Sequence, residues 1–212
     1  MRDRPYRLVV FDFDGTLADS FPFFLDALDT LADRHGFARI ERTQLDSLRE
    51  LDARRLLKHL GLPLWKVPQV GRHLRQMMAE HTNDIRLFDG IDPMLRQLHA
   101  SGVQLALLTS NSERNVRAVL GPHLSGLFSR FLCGSGLFGK RDKLRRLLAL
   151  GGVARHEVLC IGDEVRDLEA AHAEKLDFGA VAWGYTSPLA LRSHDPAWLF
   201  EHPAAICAAL GT

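Results

Sequence analysis

Phe11-Asp12-Phe13-Asp14-Gly15-Thr16-Leu17 is the stretch that decides the fold. It continues the apolar run Leu8–Phe11, which reads as a short buried strand. In an open α/β sheet, ligands bind outside the carboxyl ends of the strands. A strand over residues 8–11 therefore delivers Asp12 to that edge, and Asp14 faces the same crevice once the chain leaves extended geometry. Gly15 permits the sharp turn, and Thr16 can satisfy a local polar group. An ordinary Asp-Gly turn leading to a helix cap would use the same letters, so the rest of the chain has to decide between them.

Outward from this segment, apolar runs at Val103–Leu108, Glu157–Ile161 and Phe178–Trp183 read as further strands, with Phe131–Cys133 a shorter fifth. Amphipathic stretches lie between them: Asp92–Ala100, Glu113–Leu120, Lys143–Leu150 and Val165–Lys175. Gly102, Gly151-Gly152 and Gly179 are expected to end helices. Near-continuous apolar strands alternating with helices imply an α/β fold, a Rossmann-like parallel sheet with helices on both faces. Residues 18–88 break the alternation. They show no strand but carry helical patterns at Phe23–His35, Leu45–Leu60 and Val70–Glu80. The expected organisation is an inserted α-helical cap domain over 18–88 on a core of 1–17 and 89–212.

Two other strand exits and one lysine carry chemistry. Gly162-Asp163-Glu164-Val165-Arg166-Asp167 puts Asp163 at a strand end and Asp167 four residues later, at a helix start. Acids there can merely offset a helix dipole. Four carboxylates converging on one crevice, however, would repel strongly without a cation, and hard oxygen donors suit Mg²⁺. Thr109-Ser110-Asn111 ends another strand, where Thr109 can donate to a phosphate oxygen; a helix cap from Ser110 or Ser112 is the competing use. Lys140 is a candidate cation for phosphate, with Lys143 one turn further as its competitor. The run Gly134-Ser-Gly136-Leu-Phe-Gly139-Lys140-Arg141 satisfies GxGxxG and nearly satisfies the P-loop pattern, but Arg141 stands where a hydroxyl should reach Mg²⁺. A loop that brings Lys140 to a phosphate fits these glycines better than a nucleotide site does.

Taken together, Asp12-Phe-Asp14-Gly-Thr-Leu-Ala-Asp19-Ser20, Thr109, Lys140 and Gly162-Asp163-Glu-Val-Arg-Asp167 resemble the motifs of the haloacid dehalogenase superfamily, in order and in spacing. Arg166-Asp167-Leu-Glu-Ala-Ala171 and Ala182-Trp-Gly-Tyr185 look like its phosphoglycolate-phosphatase-like branch. The insertion after the first motif matches the family's helical cap of the first type. The resemblance implies a Mg²⁺-dependent phosphomonoester hydrolase. In it, Asp12 attacks phosphorus and Asp14 serves as general acid and base. Asp12, the Asp14 carbonyl and Asp163 hold the metal with Asp167, and Thr109 and Lys140 cradle the phosphate. Asp14 favours phosphoryl transfer, because dehalogenases of the superfamily lack an acid there. A sugar-phosphate mutase would usually carry a histidine after Ser20, where this chain has Phe21-Pro-Phe-Phe24. A mutase and a non-catalytic binding protein of the same fold are the alternatives.

Bulk properties narrow the partners. Of 212 residues, 27 are Lys or Arg and 26 are Asp or Glu, so a net charge of +1 gives no field for nucleic acid or anionic lipid. No apolar run approaches the ~20 residues of a membrane span. Cys133, Cys160 and Cys207 are widely spaced and include no CxxC, which implies reduced thiols and a cytoplasmic setting. The expected partner is a small phosphorylated metabolite, with oligomeric state left open. Arg49 is the expected cap residue for a substrate carboxylate, and Ser110 and Asn111 are expected at the substrate.

Overall fold

The computed structural model describes residues 6–134, 139–150 and 152–212. Its centre is a parallel sheet of six strands in the order β5-β4-β1-β6-β7-β8. These are β1 (Leu8–Phe11), β4 (Gln104–Leu108), β5 (Phe128–Leu132), β6 (Val158–Gly162), β7 (Asp177–Val181) and β8 (Trp198–Phe200). Side chains alternate along β1 and so divide between two cores. Val9 and Phe11 pack in the cluster supplied by α5 (Ile91–Ala100), α6 (Glu113–Ser125) and α10 (Pro203–Leu210). Leu8 and Val10 pack in the cluster supplied by α7 (Lys140–Ala149), α8 (Val165–Ala173) and α9 (Pro188–Arg192). The fold is the α/β, Rossmann-like parallel sheet expected from the strand and helix alternation.

Between β1 and α5 the chain forms the helices α1 (Phe21–His35), α2 (Leu45–Leu48), α3 (Ala53–His59) and α4 (Val67–Glu80). Leu31, Leu60, Leu62 and Val70 form their own buried cluster, apart from the two sheet cores. An antiparallel pair of two-residue strands, β2 (Ala18–Asp19) and β3 (Arg86–Leu87), brackets this segment where it leaves and rejoins the sheet.

Several details differ from the sequence expectations. The pattern Leu45–Leu60 is two helices, because the Asp52 side chain accepts from the Arg55 N–H at 2.9 Å and starts α3 anew. Residues 18–88 contain strands, but of two residues each, too short to leave a period. β5 begins at Phe128, ahead of its expected start, and α7 begins at Lys140, three residues before the expected Lys143. β8 was not expected: three residues at a sheet edge carry little pattern. Gly179 ends no helix. It lies within β7, where a Cβ would come 2.5 Å from the Phe200 ring on β8. Gly151 and residues 135–138 of the glycine-rich run lie outside the described residues.

Candidate active site

The strand register assembles the site. Phe11 pairs with Leu107 on one side and Ile161 on the other. The residues that follow, Asp12, Thr109 and Asp163, therefore leave the sheet at one carboxyl edge. Gly15 turns there with φ +78°, and a Cβ on it would meet an Asp163 oxygen at 2.3 Å. Gly184, after β7, approaches as closely: a Cβ there would lie 2.1 Å from the Asp163 Cβ. Both glycines let backbone close over the carboxylate. Asp163 is fully buried, accepting from Thr16 Oγ1 and the Tyr185 N–H, each at 2.8 Å.

Asp12 and Asp167 are also buried, and one carboxylate oxygen from each of Asp12, Asp163 and Asp167 lies within 4.8 Å of the other two. Lys140 is 3% exposed, and its Nζ sits 2.7 Å from Asp12 Oδ2 and 2.5 Å from Asp167 Oδ1. Burial pulls the ammonium pKa down, but Asp12 and Asp167 outweigh it and hold it above the usual lysine value. Lys143 instead donates to the Cys133 carbonyl.

One ammonium does not balance three buried carboxylates. Burial pushes Asp163 well above the ordinary carboxylate range, with Glu164, Asp12 and Asp167 adding to it. Asp167 is pushed up to about 6, again chiefly by burial, against the opposing pull of Lys140. Asp167 Oδ1 meets the Lys140 ammonium, and Oδ2 has no hydrogen-bond donor among the described residues. An unpartnered carboxylate oxygen in a dry, over-negative cluster fits a divalent cation held by hard oxygen donors.

Asp14 stands apart from this cluster. Its carboxylate accepts from Ser20 Oγ at 2.9 Å and from Asn111 Nδ2 at 3.1 Å. Burial raises its pKa, and the hydrogen bonds from Ser20 and Asn111 oppose the rise. Ser20 also shares a 2.7 Å hydrogen bond with the Tyr185 hydroxyl. Asn111 is itself fixed, its Oδ1 accepting from the Ser112 N–H at 2.8 Å and from Asn115 at 3.1 Å. Thr109 is fully buried, and its Oγ1 accepts from the Asn111 N–H at 3.0 Å.

A cavity of 760 Å³ opens from Asp14, Ser110 and Asn111 into α1–α4, with Leu28, Leu48 and Leu57 among its apolar lining. Arg49 lines it, but its Nε and Nη2 donate to the carbonyls of Tyr185 and Gly184, each at 2.9 Å. The Ser187 N–H donates to the Arg49 carbonyl at 2.9 Å. Arg49 thus fastens the end of α2 to the loop after β7. Ser20 and Tyr185 stood in the quoted motifs without a role. Their partnership spans 165 positions and leaves no local signal.

Comparison with known proteins agrees with this architecture. The haloacid dehalogenase-like hydrolase family matches residues 9–181. A phosphoglycolate phosphatase of Synechococcus elongatus is 32% identical, over 95% of this chain and 96% of its own. One of Xanthomonas campestris is 31% identical over 84% of each chain. A crystal structure from Lactobacillus plantarum superposes with a TM-score of 0.80 at 25% identity, covering 97% of this chain and 99% of that one. The chain belongs to the haloacid dehalogenase-like hydrolases. Within that family it is a phosphatase.

Proposed function

We propose that the protein is a Mg²⁺-dependent phosphomonoesterase that acts on a small phosphorylated metabolite through an aspartyl phosphate on Asp12, with phosphoglycolate as the leading substrate. The observation that carries this reading is the convergence of Asp12, Asp163, Asp167 and Lys140 in one buried cluster, with Asp14 beside it on separate hydrogen bonds. The phosphoglycolate phosphatase from Synechococcus elongatus supports the substrate.

In this mechanism an Asp12 oxygen attacks phosphorus, and the bond from phosphorus to the ester oxygen breaks. Asp14 gives its proton to the departing alkoxide. Its raised pKa keeps that proton available at higher pH than an ordinary aspartate allows. Asp14 then takes a proton from water as the water attacks phosphorus, the Asp12–phosphorus bond breaks, and inorganic phosphate leaves. Ser20 and Asn111 hold Asp14 in place for both transfers. Lys140 and Thr109 line the phosphate position, Lys140 offsetting negative charge there. Asp12, Asp163, Asp167 and the Asp14 carbonyl would hold Mg²⁺, which offsets phosphate charge and so lets an anionic nucleophile approach.

The cap (18–88) excludes water and selects the leaving group above the core (1–17 and 89–212). No helix among the described residues is long and apolar enough to cross a membrane, and the reading places the enzyme in the cytoplasm. The test is phosphate release from p-nitrophenyl phosphate and phosphoglycolate, with Mg²⁺ and with excess chelator. Release that stops on chelation and returns with Mg²⁺ is expected. Release indifferent to chelator, or none from either ester by folded protein, overturns the reading.

A further inference from the structure

Four arginines line the 760 Å³ cavity: Arg49, Arg72, Arg75 and Arg166. Two are matched. Arg166 forms a bidentate pair with Glu164, at 2.8 and 2.5 Å, and Arg49 is tied to two carbonyls of the loop after β7. Arg72 and Arg75 lie three residues apart on α4, so both project from one side of that helix. Among the described residues neither has a carboxylate within ion-pair distance. Arg75 is half-buried, and its directed contact is a long one, 3.4 Å from Nη1 to the Ser110 carbonyl. Burial, and then the neighbouring Arg72 charge, push its guanidinium below the usual arginine value. A partly desolvated cation beside a second cation is costly unless an anion meets it.

The remaining lining acids are engaged. Glu164 is paired with Arg166, and Asp14 is held by Ser20 and Asn111. The anion that completes Arg75 therefore comes from outside the described chain. Position says which part of a ligand it is. Ser110 directly follows Thr109, so Arg75 reaches the rim of the phosphate site from the side of α4, where a leaving group would project. The cavity beyond is lined largely by leucines, which leaves the arginines as its charged recognition element.

We propose that Arg75, supported by Arg72, determines substrate choice by holding a carboxylate on the leaving group. This rests on the phosphatase reading and names the chemistry that the reading leaves open. A guanidinium matches a carboxylate bidentately, which a lysine cannot reproduce.

The experiment compares kcat/KM for phosphoglycolate, for 2-hydroxyethyl phosphate (a similar ester without the carboxylate) and for p-nitrophenyl phosphate. It uses the natural protein, Arg75→Gln and Arg75→Lys. The natural protein is expected to prefer phosphoglycolate to 2-hydroxyethyl phosphate by about 30-fold or more, the scale of one charge-assisted bidentate contact. Arg75→Gln is expected to lower that ratio at least about tenfold, chiefly through KM, and Arg75→Lys to recover part of it. If Arg75→Gln does not fold, Arg75→Lys reads the same ratio. A natural protein without the preference, or a variant that loses all three substrates equally, overturns the subsite while leaving the phosphatase standing. Hydrolysis of none of the three by folded natural protein overturns both.

Discussion

The sheet edge and the cap are built to different standards. At the edge, Asp163 and Thr109 are fully buried, two glycines give up their side chains so that backbone can reach Asp163, and Asp14 is fixed by two side-chain donors. In the cap, the buried cluster is four residues framed by partly buried ones, around a cavity large enough for a substrate. Rigid close packing suits the first task, because a nucleophile and a proton donor must be held within fractions of an ångström. Looser packing suits the second, since a cap has to admit and release ligands. On the proposed reading, the strand exits carry the chemistry and the separately packed cap chooses the substrate.

The largest expected effect breaks the edge alone. Asp12→Asn should lower kcat for p-nitrophenyl phosphate by about 10⁴-fold or more, since it removes the nucleophile itself, while circular dichroism reports an intact fold. Residual activity above a hundredth of natural would show that the edge does not act through Asp12.

Packing can be compared directly through two leucines. Leu95 on α5 is fully buried in the sheet core, and Leu95→Ala should cost about 4 kcal/mol in denaturant unfolding. Leu31 on α1 is 1% exposed but borders the cavity. Because one side of it faces open cavity, Leu31→Ala should cost about 2 kcal/mol. Equal costs would mean that the cap is packed as tightly as the core.

Arg49→Ala probes the seam between the regions. It removes the two guanidinium bonds to Gly184 and Tyr185. We expect kcat/KM to fall about tenfold and Tm to fall by less than about 4 °C. A larger thermal loss with unchanged kinetics would make Arg49 structural only.

The smallest effect lies in the core, away from the site. Arg141 and Arg145 donate to Glu174 at 2.8 and 3.0 Å. The Arg141 bond, with Arg145 adding and burial opposing, holds its pKa below the ordinary 4.5. A lowered carboxylate pKa adds stability that is present above 4.5 and is lost as pH falls through the lowered value. Glu174→Gln should therefore flatten the decline in stability between about pH 5 and pH 3, read by denaturant titration. An unchanged slope would show that these exposed arginines contribute nothing.

What the sequence disclosed follows the same division. Asp12, Asp14, Thr109 and Asp163 were legible because each follows an apolar strand, and a parallel register carries strand exits to one edge. Lys140 was legible by its place in the order of motifs, although Lys143 competed until the two amines were seen on different partners. In the cap, spacing alone could not tell which arginine turns inward. Arg49 drew attention, yet its guanidinium is spent on backbone carbonyls, while Arg75 on α4, half-buried as Arg49 is, makes one long contact. The break at Asp52 was hidden because Asp is tolerated within a helix and is also a favoured cap. The Ser20–Tyr185 bond depends on the whole fold being in place.

The central claim is that Asp12 carries the phosphoryl group, and the most direct measurement traps it there. With radiolabelled p-nitrophenyl phosphate, the nitrophenolate leaves without needing a proton, so Asp14→Asn should still allow the first step while stalling the second. Acid quench of that variant is expected to show a burst of nitrophenolate matched by label on the protein, mapped by mass spectrometry to Asp12. Nitrophenolate formed with label only in free phosphate, and none on Asp12, would contradict the account.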